Sequence, residues 1–287
     1  MLSTKQTIEI ISNKFINVKN YEIITSGQYN VIIVVNDKWV FRIPKFLKEI
    51  DVLRKQVKQL DFLYDKLTLP IPKFSYLNLE TDVIGHAMVG YRIIKGEPLL
   101  QEKFYKIADQ NFISKQLAFF LKSLHDIKTE DTKGLSVPIV DNYKFWFEMY
   151  RDIDNLLFKY MRSDAIIKIK RDFDEYLSDP ENQNFKPKLI HNDFGPTNIL
   201  SDGNEITGII DFDSLSFNDP AVDIASLIGK FGYGQDFVIS MGKYYQDIDK
   251  LLERAKFYRS TFALQDAIFG VKNNDIKAFN SGMIDYV

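Results

Sequence analysis

The stretch from Lys188 to Asp213 restricts the folds open to this chain more than any other. Leu189-Ile190 leads into the polar run His191-Asn192-Asp193, and Phe194-Gly195-Pro196-Thr197 follows before the chain turns apolar again at Ile199-Leu200. A Gly-Pro pair cannot continue a helix, so Asp193 and Asn198, five residues apart, are expected to project from one loop between short strands. A second apolar run, Ile206–Ile210, ends at Asp211, the reading of a buried strand that carries a carboxylate to its tip. A small β element is therefore expected inside a region that is otherwise helical.

Upstream the pattern is different. Ile8, Ile11 and Phe15 mark one helical face over residues 4–16. From Tyr21 the residues become β-branched and aromatic, and Asn36-Asp37 separates the runs Tyr29–Val35 and Lys38–Ile43 as a hairpin turn would. Lys48–Leu67 returns to helical spacing and stops before Pro70-Ile71-Pro72, with further strands expected at Lys73–Leu79 and Val83–Ile94. Beyond Lys95-Gly96-Glu97-Pro98, Asn111–His125, Asn142–Met161 and Asp164–Leu177 read as amphipathic helices, and helices resume from Ala221. The expectation is an α+β protein with an N-terminal antiparallel-sheet lobe, residues 1–95, and a mainly helical C-terminal lobe, residues 96–287. No internal repeat or low-complexity tract interrupts it.

Composition narrows the function classes. The chain has 287 residues and no cysteine, so disulfides and thiolate metal sites are excluded, and a cytoplasmic location is expected. No run approaches the roughly 18 apolar residues of a membrane span, and the N-terminus does not read as a signal peptide. A net charge of -2 argues against nucleic-acid binding. The charge is unevenly placed: residues 1–129 hold 19 Lys+Arg against 13 Asp+Glu (+6), and residues 130–287 hold 18 against 26 (-8). Such a division suits a phosphate-rich ligand on the first half and a cationic one on the second, although solvated helix faces produce it equally well.

Phosphoryl transfer asks little of a protein: a carboxylate to orient the attacking hydroxyl, oxygen ligands for a cation bridging the phosphates, and donors on the phosphate oxygens. Asp193 is placed for the first task, and Asn198 and Asp211 for holding Mg²⁺. Singly, each of these residues reads as a turn or strand-cap residue. Together, with strands on both sides and a basic hairpin upstream, they point to a kinase-type site.

The segments LIHNDFGPTNIL and ITGIIDFDSLSFNDPAVDIASL resemble the aminoglycoside phosphotransferase family, the 2″-phosphotransferases in particular. Glu22–Val35, with its Ser26-Gly27 turn, is similar to the family's nucleotide-covering loop, Gly90–Gly96 to its hinge, and Phe119–Ile127 and Phe262–Val287 to recurrent helices; residues 130–185 match least. The resemblance implies a two-lobed protein-kinase-like fold, ATP or GTP as donor with Mg²⁺, and an antibiotic hydroxyl as acceptor. It also implies that Ser26 and Gly27 cover the nucleotide and that backbone groups of Arg92 and Ile94 hold its base. A monomer without nucleic-acid or membrane partners is expected.

Two departures stand out. Where kinases place a lysine on the third strand and a glutamate on the next helix, this chain has Arg42 and Gln56. Arg42 can grip phosphate oxygens bidentately with Gln56 orienting it, Lys45 and Glu49 being the alternative pair. Macrolide phosphotransferases carry a similar Arg-Ile-Pro segment. The acidic stretch that the 2″-phosphotransferases place near the acceptor is here Ile228-Gly229-Lys230-Phe231-Gly232-Tyr233-Gly234-Gln235, which leaves macrolides and small metabolite alcohols open as acceptors. The altered Arg42/Gln56 pair also admits a nucleotide-binding pseudokinase. Tyr143, Phe145, Trp146, Phe147 and Tyr150 either line an acceptor cleft or, at helical spacing, belong to the core. Asp219 is expected to brace the catalytic loop and to cap the helix after Pro220, and His191 to support that loop. His125 reads as a helix-end hydrogen-bonding group. Three scattered histidines without cysteine argue against a zinc site, and the absence of Gly-x-Ser-x-Gly against that hydrolase class.

Overall fold

The structure is a computed structural model that describes residues 3–25 and 29–287; Ser26 and Gly27, expected to cover a nucleotide, lie outside them. Helix α1 (Thr4–Lys14) opens on a capping box between Ser3 and Gln6. Strands β1 (Tyr21–Ile24), β2 (Asn30–Val35) and β3 (Trp39–Pro44) follow. Asn36, Asp37 and Lys38 form the three-residue β2–β3 loop, with Asn36 and Asp37 left-handed at φ 54° and 55°, which Asn and Asp tolerate, and the Lys38 N–H donating to the Val35 carbonyl at 3.1 Å. After α2 (Leu47–Leu63), β4 (Phe74–Asn78) and β5 (Met88–Arg92) complete a five-stranded antiparallel sheet in the order β1-β2-β3-β5-β4. Gly90 of β5 lies under the Phe41 ring, where a Cβ would come within 2.7 Å of the ring edge. The strand expected over Val83–Ile94 is shorter because Gly85 turns the chain at φ 90°.

Past Arg92 the pairing changes partners. A two-residue strand β6 (Glu97–Pro98) pairs with the later segment Leu200–Ser201, not with the first sheet, and a single helical turn α3 (Gln101–Phe104) leads to α4 (Gln110–His125), which Asp109 caps. Then come α5 (Asn142–Leu156), α6 (Ser163–Ser178), β7 (Lys188–Ile190), β8 (Ile199–Ser201), β9 (Ile206–Ile209) and β10 (Ser216–Asn218). Helices α7 (Ala221–Leu227), α8 (Gln235–Met241), α9 (Ile248–Ser260), α10 (Phe262–Asn273) and α11 (Ile276–Met283) close the chain. The result is the two-lobed, kinase-like α+β arrangement.

Two apolar clusters hold it. A small one joins Ile11, Ile33, Val35, Phe41, Ile43 and Met88 beneath the first sheet. The large one runs through the helical lobe and also takes in Leu60, Leu63, Leu69 and Ile71 from the first 95 residues. Trp146 is core, stacked on Tyr258 at 5.1 Å, whereas Tyr143, Phe145 and Phe147 on the same helix are exposed. Among the described residues no helix is long and apolar enough to cross a membrane.

Candidate active site

Asp193 is carried by a loop fixed from three sides. Beneath it Phe194 is fully buried and stacks on Phe120 of α4 at 5.6 Å, an anchor whose burial is worth roughly 1.5–3 kcal/mol. Behind it the Asp223 carboxylate accepts the backbone N–H groups of His191 (3.0 Å) and Asn192 (2.8 Å). That oxygen pair also accepts from His125 Nε2 at 3.0 Å, whose Nδ1 meets the Tyr245 hydroxyl at 2.8 Å. On the third side His191 Nε2–H donates to the Ile210 carbonyl (3.0 Å) and Nδ1 accepts the Asp193 N–H (3.3 Å). Complete burial pushes the His191 pKa down, consistent with the neutral ring those partners require. Asn192 turns the loop at φ 65°.

The bracing expected of Asp219 is thus performed by Asp223. The Asp219 carboxylate instead accepts from Arg254 Nη2 (2.9 Å), the Tyr258 hydroxyl (2.7 Å) and the Ala221 N–H (3.0 Å), so it does satisfy the first amide of α7. Its place in the Asn-Asp-Pro turn made it the more visible aspartate, but Asp223, in the first turn of α7, is the one that reaches the loop.

Asn198 and Asp211 meet because β8 and β9 form a hairpin. Ile199 pairs with Ile209, and the Ile210 N–H donates to the Asn198 carbonyl at 2.9 Å, which puts both residues at the same hairpin end. The Asn198 amide donates to Oδ2 of Asp193 at 2.8 Å and to its carbonyl at 2.9 Å, so all three residues converge. Asp211 is held at φ 67°. Crowding by surrounding protein and the adjacent Asp213 carboxylate push its pKa up to about 6, against the pull of Arg42, although its side chain stays open to the cleft. Enclosure likewise raises the pKa of the exposed Asp193.

A hard divalent cation suits this donor set. The Asp211 carboxylate and the free amide oxygen of Asn198 are both oxygen donors, and the mutual repulsion of Asp211 and Asp213 is what a cation would relieve. No group of three His, Asp or Glu side chains among the described residues makes a ready metal cage, so an ion here would take its remaining ligands from phosphates and water, the habit of Mg²⁺.

Arg42 is 9% exposed and is joined to Gln56, its Nη1 donating to Oε1 at 3.1 Å. A third member, Asp213, joins them from far along the chain. Asp213 accepts from Arg42 Nη2 at 2.6 Å and takes a very short hydrogen bond from the Gln56 amide. Burial disfavours the Arg42 charge, but Asp213, with smaller contributions from Asp211 and Tyr91, more than offsets it and the guanidinium pKa is raised. Of the alternative pair, Lys45 donates to the Thr25 carbonyl at 2.7 Å and Glu49 lies 3.7 Å from Lys48.

At the hinge, the Ile93 N–H donates to the Lys38 carbonyl at 2.8 Å. Arg92, the last residue of β5, pairs with Trp39 of β3, and Ile94 lies just past the strand. Ile94 covers Gly208 of β9, where a Cβ would lie 2.7 Å from Ile94 Cγ2 and 2.8 Å from the Pro70 carbonyl. In the helical lobe the stretch from Ile228 curls so that the Tyr233 hydroxyl donates to the Leu99 carbonyl (2.8 Å), while the Leu99 N–H donates to the Ile199 carbonyl beside Asn198 (2.8 Å). A cavity of about 470 Å³ lies there, lined by Phe104, Tyr105, Asn111, Gln235 and Asp236 among others.

Fold and site together define a kinase-like phosphotransferase of small molecules. The sequence pattern of the phosphotransferase enzyme family (APH) matches residues 20–258, and the chain belongs to that family. It is 24% identical over 200 residues to viomycin phosphotransferase of Streptomyces vinaceus, covering 67% of each chain. Among solved structures it superposes on the GDP complex of wild-type aminoglycoside 2′-phosphotransferase-IIIa with a TM-score of 0.90, at 24% identity and 99% and 97% coverage of this chain and that one. On macrolide 2′-phosphotransferase type I the TM-score is 0.77, at 15% identity and 100% and 98% coverage.

Proposed function

We propose that the protein transfers the γ-phosphate of ATP or GTP, as its Mg²⁺ complex, to a hydroxyl of an aminoglycoside, acting as a monomer in the cytoplasm. The observation that carries the reading is the convergence of Asp193, Asn198 and Asp211 at one end of the β8–β9 hairpin. Asp193 uses one oxygen to accept from Asn198 and has the other for the acceptor hydroxyl, and its raised pKa improves it as a proton acceptor. The acceptor oxygen forms a bond to the γ-phosphorus as the bond to the β,γ-bridging oxygen breaks; the proton passes to Asp193 and the nucleoside diphosphate leaves. Asn198 and Asp211 would hold Mg²⁺, which when bound neutralises charge on the β- and γ-phosphates. Arg42 grips phosphate oxygens, the backbone of Arg92 and Ile94 receives the base, and Ser26 and Gly27 belong to the loop that covers the nucleotide. Lys95/Gly96 divides the lobes, where strand pairing changes partners.

Aminoglycosides head the acceptors on the fold's likeness to their phosphotransferases. Macrolides, viomycin and small metabolite alcohols form the second group. The joined Arg42 and Gln56 weigh against a pseudokinase. The test is a coupled nucleotide-turnover assay over these acceptors with both donors and with size measured in solution. We expect acceptor-dependent turnover that Asp193→Ala lowers by roughly 10²–10⁴-fold. Full activity in that variant, or nucleotide binding without turnover of any acceptor, would sink the reading.

A further inference from the structure

We infer that Asp213 carries the negative charge that positions Arg42, a charge that a glutamate on α2 would otherwise supply, so that the phosphate-gripping cation and its counter-ion come from opposite lobes. The inference rests on the proposed nucleotide site and extends it to a residue with no other assigned part. Arg42, on β3, is nearly buried and needs a partner, since an uncompensated guanidinium there would be costly. The α2 position facing it is a neutral amide, Gln56, itself 1% exposed, which bonds the guanidinium but cannot balance it. The balance comes from 171 residues along the chain: Asp213 Oδ2 lies 2.6 Å from Arg42 Nη2, and Oδ1 accepts the Gln56 amide. The three side chains close a ring in which Gln56 gives to the carboxylate and accepts from the cation.

Geometry follows from this ring. A guanidinium has five N–H donors; the ring engages one on Nη1 and one on Nη2 and orders the side chain. Asp213 stands two residues after Asp211, so the carboxylate that fixes the gripping cation is tied by backbone to the one expected at the cation site. Its own side chain is 25% exposed, against 10% for that of Arg42. The Arg-for-Lys and Gln-for-Glu departures and the Asp at 213 are then one arrangement, with the charge moved across the cleft and not lost.

The experiment relocates the charge. Asp213→Asn keeps the shape and removes the counter-ion; Gln56→Glu restores a carboxylate to Arg42 from the α2 side. Titration calorimetry of the full chain with Mg²⁺-ATP and Mg²⁺-GTP, which needs no acceptor, gives Kd, and thermal melting reports folding. Asp213→Asn should raise the nucleotide Kd roughly 10- to 100-fold, the span of a charge-assisted hydrogen bond. Gln56→Glu alone, with two carboxylates crowding one cation, should also weaken binding, and the double variant Gln56→Glu/Asp213→Asn should recover affinity to within about threefold of the parent. The sign of Gln56→Glu therefore reverses with the residue at 213. Losses that merely add would overturn the inference, as would an Asp213→Asn defect in Mg²⁺ dependence that Gln56→Glu leaves untouched, the mark of a metal ligand. Unchanged nucleotide affinity in a folded Asp213→Asn variant would also overturn it. A parent protein that binds neither nucleotide would instead refute the proposed function.

Discussion

At the residue scale the site is built from carboxylates held under constraint. Asp211 shares the cleft with Asp213 and has its pKa raised to about 6, so at neutral pH it is ionised at a cost. The sign is the reverse of the usual aspartate: a raised carboxylate pKa destabilises the folded state above it, and the penalty fades as pH falls toward the unfolded value near 4. Without divalent cations, Asp211→Asn should therefore be more stable than the parent at pH 7.5. Because solvent reaches the side chain, the gain is about 1 kcal/mol or less. Melting curves at several pH values should show the gap closing as pH drops through about 6, while nucleotide turnover in the variant is lost; a gap that widens on acidification contradicts the account. Asp193, Asn198 and Asp211 were legible because a turn and two short apolar runs fix their spacing. Asp213 and Asp223 were not, since each acts on a partner far along the chain, Arg42 and the His191–Asn192 backbone, and one-dimensional periodicity carries no record of such contacts.

At the scale of elements, strand and helix positions followed from periodicity and turn chemistry. What escaped were pieces too short to have a period: β6, α3 and β10, each 2–4 residues long, whose existence depends on pairing or packing with distant segments. The hairpin β8–β9 does two jobs. One end presents Asn198 and Asp211, and its middle runs under the hinge, where Gly208 fits between Ile94 and the Pro70 carbonyl and the Ile209 N–H donates to that same carbonyl at 2.9 Å. Ile94 can rotate away from an added Cβ, but the carbonyl is backbone and already engaged. Gly208→Ala should push the hinge outward, cost about 1–3 kcal/mol of stability, and raise the KM for nucleotide several-fold with the acceptor KM nearly unchanged. Steady-state kinetics varying each substrate in turn checks this; a change confined to the acceptor would show that the hinge does not hold the base.

For the whole molecule the question is whether two lobes mean two folding units. Each lobe has an apolar cluster, which favours independence, yet the clusters are unequal and the larger one crosses the division. Leu60 and Leu63 at the end of α2, with Leu69 and Ile71 after it, are buried among residues of the helical lobe. Polar ties cross as well: Gln59 Nε2 donates to the Leu135 carbonyl at 3.1 Å, Ile209 bonds Pro70, and Arg42 pairs with Asp213. A chain of residues 96–287 alone would lose those four apolar side chains from its core and leave the walls around them exposed. Removing even one large aliphatic side chain from a core costs about 2–5 kcal/mol, so the loss of four rivals the net stability of a domain. Calorimetry of the full chain should accordingly show one transition with calorimetric and van't Hoff enthalpies in agreement, and the 96–287 fragment should show no cooperative transition. Mg²⁺-nucleotide at a hundredfold excess over its Kd should raise that single transition as a unit, by about 2.7 kcal/mol. Two resolved transitions, with nucleotide shifting only one, would mean that Leu60, Leu63, Leu69 and Ile71 merely rest on the second lobe and that the nucleotide cleft is assembled by docking, not by folding.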